Sequence, residues 1–202
     1  MAEYESSASQ ADRRAQIVAA AREQIAQSGT PQLGIALLTE SLGISTSLFW
    51  TYFANGDALV ATVLDELIDE LRAAGLAHAA RNGDAGDRLM RCARIYLQFL
   101  SGGGVPLTYF VQGDLPVDLD SDGPGRLQAD IRQLLRALCR DFSLSVREGL
   151  AWIEMLVAIP EELGSMVGSD ALAPAMAGEI CDTLIGAAID AVRPMAASRP
   201  GG

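Results

Sequence analysis

Apolar residues recur along this chain every three or four positions and almost nowhere in strict alternation, so the pattern is helical throughout. Ile17, Val18, Ala21 and Ile25 share one face of a first helix, which Gly29 and Pro31 close. Ile35, Leu38 and Leu42 predict a short second helix. Gly43 turns the chain, and Ser45 is placed to cap a short third helix. Asn55-Gly56-Asp57 punctuates again. Asn55 can cap a longer helix with Val60, Val63, Leu64, Leu67 and Leu71 on its apolar face, ending near Arg81-Asn82-Gly83. Leu89, Cys92, Ala93, Tyr96, Phe99 and Leu100 mark the next helix, broken by Gly102-Gly103-Gly104. A short element over 106–111 and an acidic loop over 113–125 follow. Ile131, Leu134, Leu135, Leu138 and Phe142 carry a further helix. Val146, Leu150, Ile153 and Val157 begin another, which Pro160 kinks or splits. The last runs through Met176, Ile180, Leu184, Ala187, Ala188 and Ala191 until Pro194 stops it. The reading is an all-α chain of about nine helices, with a three-helix head and a larger helical part that divide near residue 60.

Composition narrows this picture. Half of the 202 residues are hydrophobic, enough for a sizeable core. The net charge of -11 disfavours indiscriminate attachment to nucleic acid or to an anionic membrane. There is no Lys, and no Arg between Glu23 and Leu71. Over residues 1–60 three arginines (Arg13, Arg14, Arg22) face six carboxylates, a net of -3. Residues 1–13 are polar, lack an apolar run and read as a disordered tail, not a targeting segment. The longest uncharged stretch, 95–113, is interrupted by its glycines and Pro106, whereas a membrane helix needs about 20 mostly apolar residues. A soluble cytoplasmic protein without membrane contact is expected. Cys92, Cys139 and Cys181 are far apart and form no CxxC, which fits buried thiols in a reducing compartment.

Two short helices joined through Gly43 after a longer one make a unit the size of a helix-turn-helix DNA-binding head. The run 14–63 resembles the N-terminal domain of TetR-family transcriptional regulators. The resemblance is carried by Ile17 with Ala20-Ala21, Gly29, Gly43-Ile44-Ser45, the aromatics Trp50, Tyr52 and Phe53, and Ala58-Leu59. It implies a DNA-binding domain over 14–60 and a ligand-binding and dimerisation domain over 61–202. It also implies a third helix that enters the major groove. Thr46, Ser47 and Leu48 would then approach base edges, while Trp50, Thr51 and Tyr52 would lie by phosphate and sugar. Phe49 and Phe53 read as core. The run departs from the family pattern at Leu33-Gly34, Leu38-Thr39 and Gly56, the last standing where Lys is usual. With so few cations, phosphate attraction is small, and hydroxyls and backbone N–H groups are left to hold the backbone.

The resemblance also implies an apolar effector pocket among the later helices. Leu67, Leu71, Met90, Tyr96 and Phe99 are candidate lining residues, together with Tyr109, Phe110, Phe142, Trp152 and Met155. Arg94 and Glu154 are the charged groups placed to orient a polar end of a ligand. A homodimer interface is expected on the last two helices, through Leu150, Ile153, Val157, Ile180, Leu184, Ala187 and Ala188. The small residues Ala173, Ala177, Gly178 and Gly186, with Ile189, favour close helix approach there. Operator DNA, a second copy of the chain and a small apolar effector are thus the expected partners, with no cofactor, metal or catalytic residue.

Other motifs carry less. Asp118, Asp120, Asp122 and Gly123 match half of a calcium loop, but Ala129 occupies the place of the closing carboxylate. His78 is the single histidine, with no partner visible in the sequence, and reads as structural. No nucleophile elbow, HExxH or Walker loop is present. The expected function is a TetR-like one-component regulator, a repressor, released or engaged by an apolar effector. The competing readings are a TetR scaffold that has lost DNA binding and works through its pocket as a binder or enzyme, and a protein that pairs with another regulator.

Overall fold

The computed structural model describes residues 7–112 and 121–197. Among them there are ten α-helices and no strand. These are α1 (Ser7–Ser28), α2 (Ile35–Ser41), α3 (Thr46–Tyr52), α4 (Gly56–Ala73), α5 (Leu76–Ala79), α6 (Ala85–Phe99), α7 (Pro106–Gln112), α8 (Gly123–Asp141), α9 (Val146–Gly168) and α10 (Pro174–Ala197). A π-helical turn, Leu100–Gly104, follows α6. No described helix is long and apolar enough to cross a membrane. The chain divides into two compact units, Met1–Leu67 with Pro106–Gly123, and Ile68–Val105 with Pro124–Gly202.

The first unit is built on the predicted apolar faces. Ile17, Val18, Ala21 and Ile25 of α1 are buried, as are Leu59, Val60, Val63, Leu64 and Leu67 of α4, and Leu107 and Phe110 of α7. Gly29 ends α1 in the left-handed region at φ +67°, its N–H donating to Ile25 O at 3.0 Å. Asp65 of α4 accepts from Ser121 Oγ at 3.0 Å and from Gly123 N at 2.6 Å, which fixes the start of α8.

In the second unit α6, α9 and α10 pack on one another around Leu89, Leu97, Leu138, Ile153, Leu156, Leu163, Ala177, Cys181 and Ile185. Two glycines set the approach of α9. A Cβ at Gly149 would lie 2.6 Å from Leu135 Cδ1, and one at Gly164 would lie 2.7 Å from Leu100 Cβ. Ser145 and Glu148 cap α9 reciprocally. Asp130 of α8, 1% exposed, accepts from Arg72 Nε at 2.7 Å and from Arg81 Nη2 at 2.6 Å, so two partly hydrated cations neutralise it.

Several boundaries differ from the sequence reading. α1 starts at Ser7, so residues 7–13 are helical and not a tail; Ala8, Gln10 and Ala11 favour helix and nothing there breaks it. Residues 1–6 and 113–120 lie outside the described residues. The helix expected to reach residue 81 stops at Ala73, because Gly75 adopts φ +111° and starts the separate α5. α9 is not split at Pro160: the ring is buried, and packing offsets the lost backbone hydrogen bond. α10 likewise runs past residue 194 to Ala197.

Gly164→Ala is expected to destabilise the protein by about 1–3 kcal/mol, since Leu100 has no room to retreat. Gly168→Ala, on the same helix with open space around it, is the control. Thermal melts of both variants check this: equal midpoints would mean that α9 does not depend on the Gly164 contact.

Candidate nucleic-acid interface

Helix α3 has seven residues, far below the ~12–15 at which a helix holds itself in water, so its neighbours must hold it. Three contacts do so. Ser45 Oγ accepts from Leu48 N at 3.1 Å and caps the first turn. Gly43, at φ +63°, turns the chain out of α2, and Ile44 N donates to Thr39 O at 3.0 Å. Phe49 is wholly buried, with the Trp50 ring edge-on at 4.7 Å between centroids and the Phe53 ring stacked at 5.8 Å. Asn55 Oδ1 then accepts from Ala58 N at 2.7 Å and starts α4.

With Phe49 inward, helical geometry turns Ser47 and Thr51 outward, flanked by Leu48 on one side and Trp50 on the other. Thr46, Ser47 and Thr51 are exposed, Leu48 is 37% and Trp50 44% exposed, and Tyr52 is half-buried. Five of the six residues expected to face DNA therefore share a solvent-facing surface. Leu37 of α2 is 66% exposed and was not anticipated; the inward positions 35 and 38 place it outward on the same wheel.

The three arginines of this unit are on α1. Arg14 lies over the Phe53 ring at 4.9 Å and donates to Thr62 Oγ1 at 3.2 Å, so it ties α1 to the end of α3 and to α4. Arg13 donates to Gln16, and Arg22 is half-buried. α2 starts at Gly34 without a side-chain cap. No cation stands on α2 or α3.

The expected pocket residues fall in both units. Leu67, Tyr109 and Phe110 belong to the first, and the other seven to the second. Leu67, Leu71, Phe110 and Phe142 are buried, Met90, Tyr96, Phe99, Tyr109 and Trp152 half-buried, and Met155 exposed. Arg94 does not point to a ligand: its guanidinium pairs with Asp182 through contacts of 2.6 and 2.9 Å, and Glu154 is exposed. A half-buried polar pair of this region is one that sequence spacing did not reveal. Tyr96 Oη donates to Glu161 Oε1 at 3.0 Å, and burial, reinforced by the Glu161 charge, pushes the phenol well above its ordinary range. A shallow cleft of about 260 Å³ in the second unit is lined by Asp84, Ala85, Asp141, Phe142 and Arg193, and shares only Phe142 with the expected set.

Of the expected interface residues, Leu150, Leu184 and Ala187 are exposed, and Val157, Ile180 and Ala188 half-buried. Ile153 is in the core, because the inward face of α9 runs through Gly149, Ile153, Leu156, Pro160 and Leu163; Ala177 and Ile189 are buried as well. Cys92 and Cys181 are buried thiols, which desolvation pushes up to about 12 and about 11, while Cys139 is half-buried. His78 is exposed and accepts a side-chain bond from Asn82 at its carbonyl. Asp118 and Asp120 lie outside the described residues, and Asp122 is exposed.

A short capped helix, standing on one buried aromatic and following a glycine turn, is the geometry of a helix-turn-helix. Known structures with this arrangement agree over nearly the whole chain. A TetR-like transcriptional regulator from Rhodococcus sp. RHA1 superposes with a TM-score of 0.64 at 17% identity, covering 88% of this chain and 96% of that one. The fold is that of TetR-like transcriptional regulators. The fatty acid degradation regulator FadR from Bacillus halodurans gives 0.53 at 17% identity over 86% of this chain and 94% of its own. A TetR-family regulator from Streptomyces coelicolor gives 0.51 at 18% over 94% and 90%. No family model and no curated protein matches the sequence. On this TetR-like fold, α2 and α3 are the helix-turn-helix pair.

Arg14→Ala is expected to lower stability by about 0.5–1 kcal/mol, the scale of a cation–π contact at an exposed site. The readout is the thermal midpoint. An unchanged midpoint would mean that the guanidinium is not seated on Phe53.

Proposed function

We propose that this protein is a TetR-like one-component transcriptional regulator, a repressor that binds operator DNA as a homodimer through α3. The observation that carries the proposal is the outward face of α3, held clear by the buried Phe49 and offering Thr46, Ser47, Leu48, Trp50 and Thr51 to solvent. The TetR-like fold supports it. Residues 14–60 form the DNA-binding domain in this reading, and residues 61–202 bind the effector and dimerise.

Exposed apolar side chains on α9 and α10 (Leu150, Met155, Met176 and Leu184) support the homodimer, whose two heads would read the two halves of a palindrome. A small, largely apolar effector bound among the helices of the second domain shifts DNA affinity by its differential affinity for the two states of the dimer. The pocket draws on Met90, Tyr96 and Phe99 of α6, Phe142 just after α8 and Trp152 of α9, with the Tyr96–Glu161 pair as its polar feature.

The charge pattern supports DNA binding that depends little on phosphate attraction. With Arg14 engaged on Phe53 and Thr62, each head has at most two further cations, Arg13 and Arg22, both on α1, so no more than about four per dimer meet phosphate. Affinity should then fall on the order of a hundredfold between about 50 and 200 mM salt, against roughly 10³–10⁵ for a protein making six to ten phosphate contacts. Fluorescence anisotropy on DNA from around the protein's own gene, at those two salt concentrations, checks this. Competitor-resistant binding with the shallow slope is the expected result. A steep slope would overturn the charge argument, and no specific binding by an intact dimer would overturn the regulator.

A further inference from the structure

The exposed surface of α3 limits what it can read. Base edges in the major groove are distinguished chiefly by Arg or Lys on guanine, Asn or Gln on adenine, and Asp or Glu on the cytosine amine. None of these side chains occurs from Ile44 to Ala54. Hydroxyls and the Trp50 indole N–H are the remaining polar side-chain groups, and several of the hydroxyls bond locally. Thr51 Oγ1 donates its one hydrogen to Leu48 O at 2.7 Å. Ser45 Oγ accepts from Leu48 N and lies 3.0 Å from Ser47 Oγ, so one hydroxyl of this pair donates to the other. Beside the exposed Thr46 hydroxyl and Trp50 indole N–H, this face offers two apolar groups: the Leu48 side chain, 37% exposed, and the methyl group of Thr51 one turn on. One group in the major groove answers to apolar contact, the C5-methyl of thymine.

We infer that the protein reads its operator through thymine methyl groups, with Leu48 as the specificity-determining residue and Thr51 beside it. This rests on the regulator reading above and deepens it by naming the chemistry of the site that is read. A thymine presented to Leu48 is preferred over cytosine because it carries the methyl, and over a purine because neither purine offers an apolar group there. Weak phosphate attraction makes this term weigh more in the discrimination between sites than it would beside a cationic helix. Leu48 lies outside the core, so its side chain is free to serve recognition without disturbing the Phe49 packing beneath it.

The test starts from a random-sequence DNA duplex library, from which the purified full-length protein selects its preferred site. Each thymine of that site is then replaced singly by uracil, which keeps the base pair and removes the methyl. Binding is measured for the wild type and for Leu48→Ala, with a thermal melt to establish that the variant is folded. At one or more positions in each half-site, uracil should weaken the wild type about fourfold, the worth of one buried methyl-sized group, and leave Leu48→Ala unaffected. Uracil tolerated at every position, uracil losses of equal size in both proteins, or a selected site without thymine would overturn the inference and leave the regulator standing. A library from which nothing is enriched would remove the regulator reading and this inference together.

Discussion

Burial of Phe49 is the constraint on which the exposed face of α3 depends. A seven-residue helix has no independent stability, and the Ser45 cap contributes only about 1 kcal/mol. The larger share comes from a fully buried phenyl ring, worth roughly 1.5–3 kcal/mol by area, packed against Phe53 and the edge of Trp50. Once Phe49 points inward, the helical period settles every other position of α3. Ser47 and Thr51 must face out, Leu48 and Trp50 must flank them, and Tyr52 must sit at the margin. The outer face of α3 is thus set by one core side chain, which any other rotation of the helix would expose.

That surface is unusual in lacking charge, and the nearby cations do not make up for it. Arg14, which counts toward phosphate attraction in the sequence, is drawn onto the Phe53 ring and to Thr62, where it joins α1 to the rest of its unit. In the second unit charges are also turned to internal use. Asp130 draws in Arg72 and Arg81, and Asp182 holds Arg94. Arg14, Arg72, Arg94 and Arg126 each join one helix to another, and the exposed face of α3 carries hydroxyl, indole and apolar groups.

What could be read from the sequence was local. The Gly43 turn, the Ser45 cap, the Asn55 start of α4 and the inward faces of α1 and α4 each follow from residues within one or two turns of one another. The failures share a different cause. Gly75 lies in an Ala-rich, helix-favouring run, and its positive φ is a consequence of where the chain goes next. Pro160 continues a helix because tertiary burial outweighs one lost hydrogen bond. The pairs Tyr96–Glu161, Arg94–Asp182 and Arg72–Asp130 join residues 58 to 88 positions apart, and nothing local marks one carboxylate over another. The apolar period at Ile153 is compatible with either side of α9, and only the packing of that helix against its neighbours shows which side is inward.

The central claim is that the outer face of α3, as positioned by Phe49, is the surface that meets DNA. Amide hydrogen exchange across residues 45–53, compared between the free protein and the protein saturated with its selected duplex, tests it most directly. The account predicts slowing concentrated in this segment and in the adjoining α2. A complex that forms while exchange at 45–53 stays unchanged would contradict it, because DNA would then be held by some other surface.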